Sequence, residues 1–403
     1  MTKRTVALRS HPATPYVLLA VSFLALGTLF AVLRVPMPDA VVYRAEGASV
    51  LHGRDLYGFT VTEGRLPATY PPFAALLFVP AALLPVPAAK LAFCAANALL
   101  LAWLVRLSLR LAGRAADLPL VCAATALALW LEPVFQTFGY GQINLALACL
   151  VLWDLTRPPG ARGRGAAIGI ATGIKLTPGL FLIYLLLRGR GREAATATAA
   201  FAGTVALGAL VLPAASVAYW TRLFFRTDRV GKTWIIDDQS LQGLVARVLH
   251  DPSPGPAWLL PALAVSVTGL WLAGRAPYDR WGVLLTALTA LLVSPISWSH
   301  HWVWCVPLIV VLLAEGRRAW AAAALVCFAA RTMWLVPRAG DRDLHLAWWQ
   351  QPLASPYPLF ALALLAGAKW TFGSGRGSQP TRSLFRGNAR ECRRGGVIVE
   401  NRR

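Results

Sequence analysis

The chain has 403 residues, of which 57% are hydrophobic and only 14% charged, with a mean hydropathy of +0.56. A soluble domain carries about 25% charged residues, so this composition excludes an ordinary soluble enzyme. The net charge of +21, from 39 Lys and Arg against 18 Asp and Glu, lies in short stretches between apolar segments and in the tail. Nucleic-acid binding would need that charge gathered on a folded soluble face. Its actual distribution reads as topology, because Lys and Arg are retained on the cytoplasmic side of a membrane.

A bilayer core of ~30 Å takes roughly 20 apolar residues per helix, and apolar segments recur from residue 16 to residue 371. With Lys3, Arg4 and Arg9 inside, the first segment, 16–34, is a signal anchor and delivers a first outer loop, 35–70. Residues 71–85 are apolar but too short to span, and predict a half-helix or interfacial helix. Segment 88–109 returns to the inner cluster Arg106, Arg110 and Arg114. Segment 118–132 exits, and 141–153 comes back to Arg157, Arg162 and Arg164.

Residues 166–187 pose a conflict, since basic clusters at both ends want the same side. The middle reads Lys175-Leu176-Thr177-Pro178, so the spacing predicts two short helices broken there and facing a cavity. Broken helices at membrane depth are tolerated only where protein or water satisfies the backbone. Segment 194–212 exits to a long loop, 213–256, and 257–273 returns to Arg275 and Arg280. Segment 281–296 leads out to Ser297-Trp298-Ser299-His300-His301, and 302–314 returns to Arg317 and Arg318. Segment 319–336 exits to a mixed loop, and 357–371 comes back.

The expectation is an all-α polytopic membrane protein of about 10–13 transmembrane and re-entrant helices with a cavity on the outer face. Residues 1–371 form one membrane-embedded domain. Residues 372–403 form a basic, disordered, cytoplasmic tail with eight Arg and two Glu from residue 374 onward. Of six cysteines, Cys94, Cys122, Cys149, Cys305 and Cys327 fall in apolar segments and Cys392 in the tail. They read as small packing residues, with neither a disulfide framework nor a zinc site.

The polar residues that break this pattern gather at the outer face: Asp39, Tyr70, Gln142, Asn144, Gln239, His300 and His301, with Lys175 within reach of the same cavity. Asp39 opens a short amphipathic helix that ends at Gly53. It is either that helix's N-cap or a general base for an acceptor hydroxyl. Tyr70-Pro71-Pro72 makes a rigid turn. Gln142 and Asn144 either cap a helix or bind sugar hydroxyls. Lys175 deep in an apolar stretch costs ~2.5–3.5 kcal/mol if unpaired. Its partner is either a structural acid, Asp154 or Glu132, or an anionic ligand such as phosphate. His300 and His301, among Trp298, Trp302 and Trp304, suit an aromatic belt or contacts to phosphate or hydroxyl groups. Asp237-Asp238-Gln239-Ser240 caps the following helix or, more weakly, holds a divalent cation.

In order, these pieces resemble glycosyltransferase family 87. The matching runs are Asp39-x-x-Val42-Tyr43, Gly53-x-Asp55-Leu56-Tyr57, Tyr70-Pro71-Pro72-Phe73, Gly141-Gln142-x-Asn144, Lys175-x-x-Pro178, Gln239-Ser240-Leu241-x-Gly243 and Ser294-Pro295-x-Ser297-Trp298-x-His300-His301. The resemblance covers about residues 35–305 and implies a GT-C bundle around an outer-face cavity. It implies hexosyl transfer, with mannosyl the leading choice, from a polyprenyl-phosphate donor to a lipid-linked glycan, with inversion. Asp39 falls where the family has its essential acid. Lys175, His300 and His301 are then expected on the donor phosphate, and Tyr43, Tyr70, Gln142, Asn144 and Gln239 on sugar or acceptor. No cofactor is expected, although a divalent cation is left open. Where the family often has Asn before the Gln-Ser pair, this chain has Asp238. Transfer of arabinofuranose from decaprenyl-phosphate arabinose is the alternative within the family. A secondary transporter is the rival class, and would place ionisable residues mid-span in several helices. A polytopic scaffold would need neither Asp39 nor Lys175. The expected setting is the cell membrane, with both termini cytoplasmic and the active site outside.

Overall fold

The structure is a computed structural model describing residues 11–373. Residues 1–10 and the tail beyond Gly373, including Cys392, lie outside the described residues. Among those described, four helices are long and apolar enough to cross a bilayer alone: Thr14–Val32, Val86–Leu111, Gly191–Val211 and Pro256–Arg275. Shorter apolar helices complete the bundle, among them Asn144–Thr156, Arg318–Ala329 and Pro356–Ala368. The long helices turn apolar side chains outward, with Leu99 76% and Leu210 80% exposed. That pattern suits contact with lipid, whose tails are as apolar as leucine. The helix Asp279–Val293 is by contrast buried on every face from Trp281 to Leu292 and forms the centre of the bundle. The only strands among the described residues are Thr60–Val61 and Leu66–Pro67, a small antiparallel pair in the first loop. Nothing in the charge pattern signals that pair.

The expected segments appear with local differences. Residues 71–85 form two short helices, Pro72–Leu77 and Val79–Ala82, too short to cross. The span beginning at Leu118 ends at Ala128, turns through 79°, and resumes as Glu132–Tyr140. Proline at 133 cannot donate to the preceding turn, so the helix restarts there rather than continuing. The long connection 213–256 carries two helices, Pro213–Thr221 and Leu241–Leu249. Ser240 is the N-cap of the second, its Oγ accepting from the Gly243 amide.

The break at Lys175 is present. Ala166–Ile174 ends where Lys175 adopts an extended conformation, a single 3-10 turn Thr177–Gly179 follows, and Leu180–Leu187 leads away. Arg164 and Arg190, before and after this broken segment, both pair with Glu193. The segment therefore rises to Lys175 and returns to the end it left, which reconciles the two basic clusters. A glycine stripe at four-residue spacing makes this possible. A Cβ on Gly165, Gly169 or Gly173 would collide with Glu193, Ala197 or Thr204 of the neighbouring long helix. Small residues at this spacing let membrane helices approach backbone to backbone. Asp154, buried beneath, accepts from the amides of Gly165 and Ile168 and so caps the rising helix.

Candidate active site

Four chain segments converge above the Lys175 break. In the helix Pro38–Leu51 the N-cap is Met37, held in the left-handed region, and no side chain caps the helix. Asp39 lies in the first turn and is not the N-cap, so its carboxylate is free for other work. Gly141 brings the second segment in. Its φ is +71°, and a Cβ there would meet the Ala40 side chain at 2.6 Å, so only glycine allows Gln142 to lie against the Asp39 helix. The turn Tyr70-Pro71 and the loop 294–301 close the remaining sides.

Together they line an open cleft whose walls include Asp39, Tyr43, Tyr70, Gln142, Lys175, Trp298 and His301. A second, narrow and mostly apolar crevice runs between the helices Asn144–Thr156, Leu180–Leu187 and Asp279–Val293. Its walls include Leu147, Val151, Phe181 and Leu291. The two spaces share Lys175, Thr177 and His301. The polar cleft and the apolar crevice therefore meet at a cation.

Polar contacts run through the cleft as one thread. Gln142 stands beside Asp39 in the wall of the cleft, and its side chain lowers the carboxyl's affinity for the proton. Gln142 Oε1 accepts from Tyr43 Oη at 2.7 Å, Tyr70 Oη at 3.3 Å and Asn144 Nδ2 at 3.4 Å. Asn144 Oδ1 accepts from Lys175 Nζ at 3.3 Å, and Lys175 Nζ lies 2.8 Å from His301 Nε2. The ammonium also faces the Tyr70 ring at 5.4 Å. Neither structural acid considered for Lys175 meets it. Asp154 caps the helix Ala166–Ile174, and Glu132 accepts from Tyr357 Oη at 2.6 Å and Trp334 Nε1 at 3.2 Å. Lys175 is thus a cation steadied by neutral groups, an arrangement open to an incoming anion. Burial pushes the Asp39 carboxyl up to about 6, opposed by the Gln142 hydrogen bond and the Lys175 charge. A carboxylate poised there is ionised at neutral pH and still basic enough to take a proton.

The structure brings together Asp39, Tyr43, Tyr70, Gln142, Lys175 and His301, with Asn144 directly below. It does not bring Gln239 or the His300 ring to the cleft. Gln239 is fully buried, its amide donating to the carbonyls of Ile236 and Ala354 and its oxygen accepting from the Tyr357 amide. Every polar atom on it is spent on holding loops, so it is a scaffold residue. The His300 ring is buried edge-on against His301 and 5.0 Å from Tyr140. Its backbone carbonyl, not its ring, serves the site, accepting from Asn144 Nδ2 and Thr137 Oγ1. Asp238 braces the loop that carries His301. It accepts from the amides of Ser240 and Ser297, while Ser299 donates to the Asp237 carbonyl. Tyr219 and Thr227 also line the cleft. They lie in a loop of low apolar periodicity, and no motif marked them.

A polytopic helical bundle with a carboxylate and a lysine–histidine pair facing one cleft, beside an apolar crevice, defines a membrane-embedded group-transfer enzyme. The sequence profile of glycosyltransferase family 87 matches residues 68–295. The chain belongs to that family and is a glycosyltransferase. It is 37% identical, over 87% of its length and 88% of the relative's, to a polyprenol-phosphate-mannose-dependent alpha-(1-2)-phosphatidylinositol mannoside mannosyltransferase of Mycobacterium tuberculosis. A protein of the same description from Mycolicibacterium smegmatis is 35% identical, over 82% of this chain and 83% of that one. A solved structure of ArnT from Cupriavidus metallidurans, bound to undecaprenyl phosphate, aligns with a TM-score of 0.43 at 16% identity, covering 90% of this chain and 78% of that one.

Proposed function

We propose that this enzyme transfers a mannosyl group from polyprenyl-phosphate mannose to a phosphatidylinositol mannoside acceptor, with inversion, at the outer face of the membrane. The observation that carries this reading is the junction at Lys175. A phosphate placed there has its negative charge met by the ammonium, while the first isoprene units lie along the mouth of the apolar crevice and the sugar enters the cleft beside Asp39. The acceptor hydroxyl gives its proton to Asp39 as its oxygen bonds to the sugar's anomeric carbon. The bond from that carbon to the phosphate oxygen breaks, and the electron pair leaves on the lipid phosphate. Preorganised charge aimed at a developing anion is the largest kind of electrostatic help an active site gives, and Lys175 supplies it. His301 acts on the phosphate through Lys175, because its Nε2 accepts from the ammonium and keeps it aimed.

Charge supports the outer-face assignment. The pairs Arg190–Asp279, Arg280–Glu315 and Arg317–Glu315 gather at the end of the bundle away from Lys175, where the positive-inside rule places the cytoplasm. Purified protein in liposomes, offered radiolabelled polyprenyl-phosphate mannose and separately decaprenyl-phosphate arabinofuranose with a lipoglycan acceptor extract, tests the assignment. Label transferred only from the mannose donor is expected. Transfer only from the arabinose donor would replace the sugar and keep the site. Transfer from neither would refute the reading.

A further inference from the structure

The direction of the side-chain amides in the cleft can be worked out from one fixed point. The His300 carbonyl can only accept, so the atom of Asn144 lying 3.2 Å from it is the amide nitrogen. Asn144 Oδ1 must then face Lys175, and does, at 3.3 Å. The remaining proton on Asn144 Nδ2 points to Gln142, so Gln142 turns its oxygen to that side, where the Tyr43 hydroxyl also delivers a proton. This leaves Gln142 Nε2 on the side of Asp39, with which it lines the same cleft. Gln142 is 4% exposed, and its backbone carbonyl accepts from Asn97 Nδ2 at 3.1 Å, which fixes the backbone that carries it.

From this we infer that Gln142 is a positioning residue for the base: its amide orients the Asp39 carboxylate, and the direction of that amide is imposed through Asn144 by the loop that carries His301. The two halves of the reaction, proton removal and phosphate departure, are thereby built as one rigid unit. Binding of acceptor hydroxyls falls to other groups. The inference rests on Asp39 being the base.

The groups facing Asp39 are Tyr43 and Glu46 on its own helix, Tyr70 and Tyr140 from other segments, and Lys175. Of the groups around it, Lys175 and the neutral Gln142 lower its affinity for the proton. Losing the Gln142 donor therefore moves the acidic limb of kcat/KM to higher pH.

The test measures kcat, both KM values and the pH profile of mannosyl transfer for wild type, Gln142→Met, Gln142→Glu and Asp39→Asn in the same liposomes. Losing a hydrogen bond to a charged group is worth roughly ten- to a hundredfold in rate. Gln142→Met should lose about that much kcat, with acceptor and donor KM unchanged and the acidic limb displaced upward. Gln142→Glu keeps the shape and sets a second acid beside Asp39, so its limb should also move upward. It carries the test if the Met variant fails to insert. A raised acceptor KM with an unmoved limb would make Gln142 a substrate ligand and overturn the inference. So would unmoved limbs in both variants while Asp39→Asn is inactive. Full activity in Asp39→Asn would instead overturn the assignment of the base.

Discussion

Replacing Lys175 by methionine removes one charge and keeps nearly the same volume, and the site makes opposite demands on stability and activity. Lys175 has no carboxylate bound to it and leans on Asn144 and His301. An unpaired Lys at membrane depth costs up to ~2.5–3.5 kcal/mol, so the fold should tolerate the substitution and gain thermal stability. Activity should move the other way. A phosphate oxygen about 4 Å from the ammonium, at an effective dielectric near 20, is worth about 4 kcal/mol. As charge grows on the leaving phosphate, this corresponds to about a thousandfold in kcat/KM. The assay pairs mannosyl transfer at varied donor concentration with thermal unfolding in detergent. Lys175→Met with a higher Tm and about a thousandfold lower activity is expected. Activity within tenfold of wild type would remove Lys175 from the phosphate. A clearly lower Tm would make it a structural residue.

Two further outcomes follow from the same contacts. The base must be ionised to act and its pKa is about 6, so kcat/KM should fall tenfold per unit as pH drops below 6 and level off above it. A rate insensitive to pH between 5 and 8 would contradict this. Asp238→Ala would orphan the buried amides of Ser240 and Ser297, at roughly 1–3 kcal/mol each, lowering both Tm and activity. Asp238→Asn should restore most of the loss, because its oxygen accepts from the same two amides and the Ser240 hydroxyl can turn to the Pro295 carbonyl. Equal losses in both variants would show that the carboxylate charge itself is required.

Charge made much of this fold legible. Arg164 and Arg190 flank one apolar stretch, and like charges at both ends with Pro178 inside leave a returning, broken segment as the consistent path. The residues Asp39, Tyr70, Gln142 and Lys175 stood out because polar atoms beside apolar runs are costly without a task. What stayed hidden depends on direction rather than identity. Gln239 sits in as suggestive a motif as Gln142, yet one amide faces loop carbonyls and the other faces Asp39. The His300-His301 pair is symmetrical in sequence, but only the His301 ring reaches the cleft. The helix Glu132–Tyr140 was missed because Glu132 reads as a segment end, when its carboxylate is buried between Tyr357 and Trp334. The Gly165-Gly169-Gly173 stripe carries no charge or polar signal, and its role shows only in the neighbouring long helix against which it packs.

The measurement that bears most directly on the mechanism is mannosyl transfer by Asp39→Asn against wild type, in liposomes, with insertion and thermal stability matched. Asn keeps the shape and hydrogen-bonding reach of Asp39 but cannot accept the acceptor's proton. Loss of transfer across the pH range, with donor binding retained, is the predicted result. Transfer that survives the substitution would contradict the assignment of Asp39 as the base and shift the search to Glu46, a buried carboxylate on the same helix.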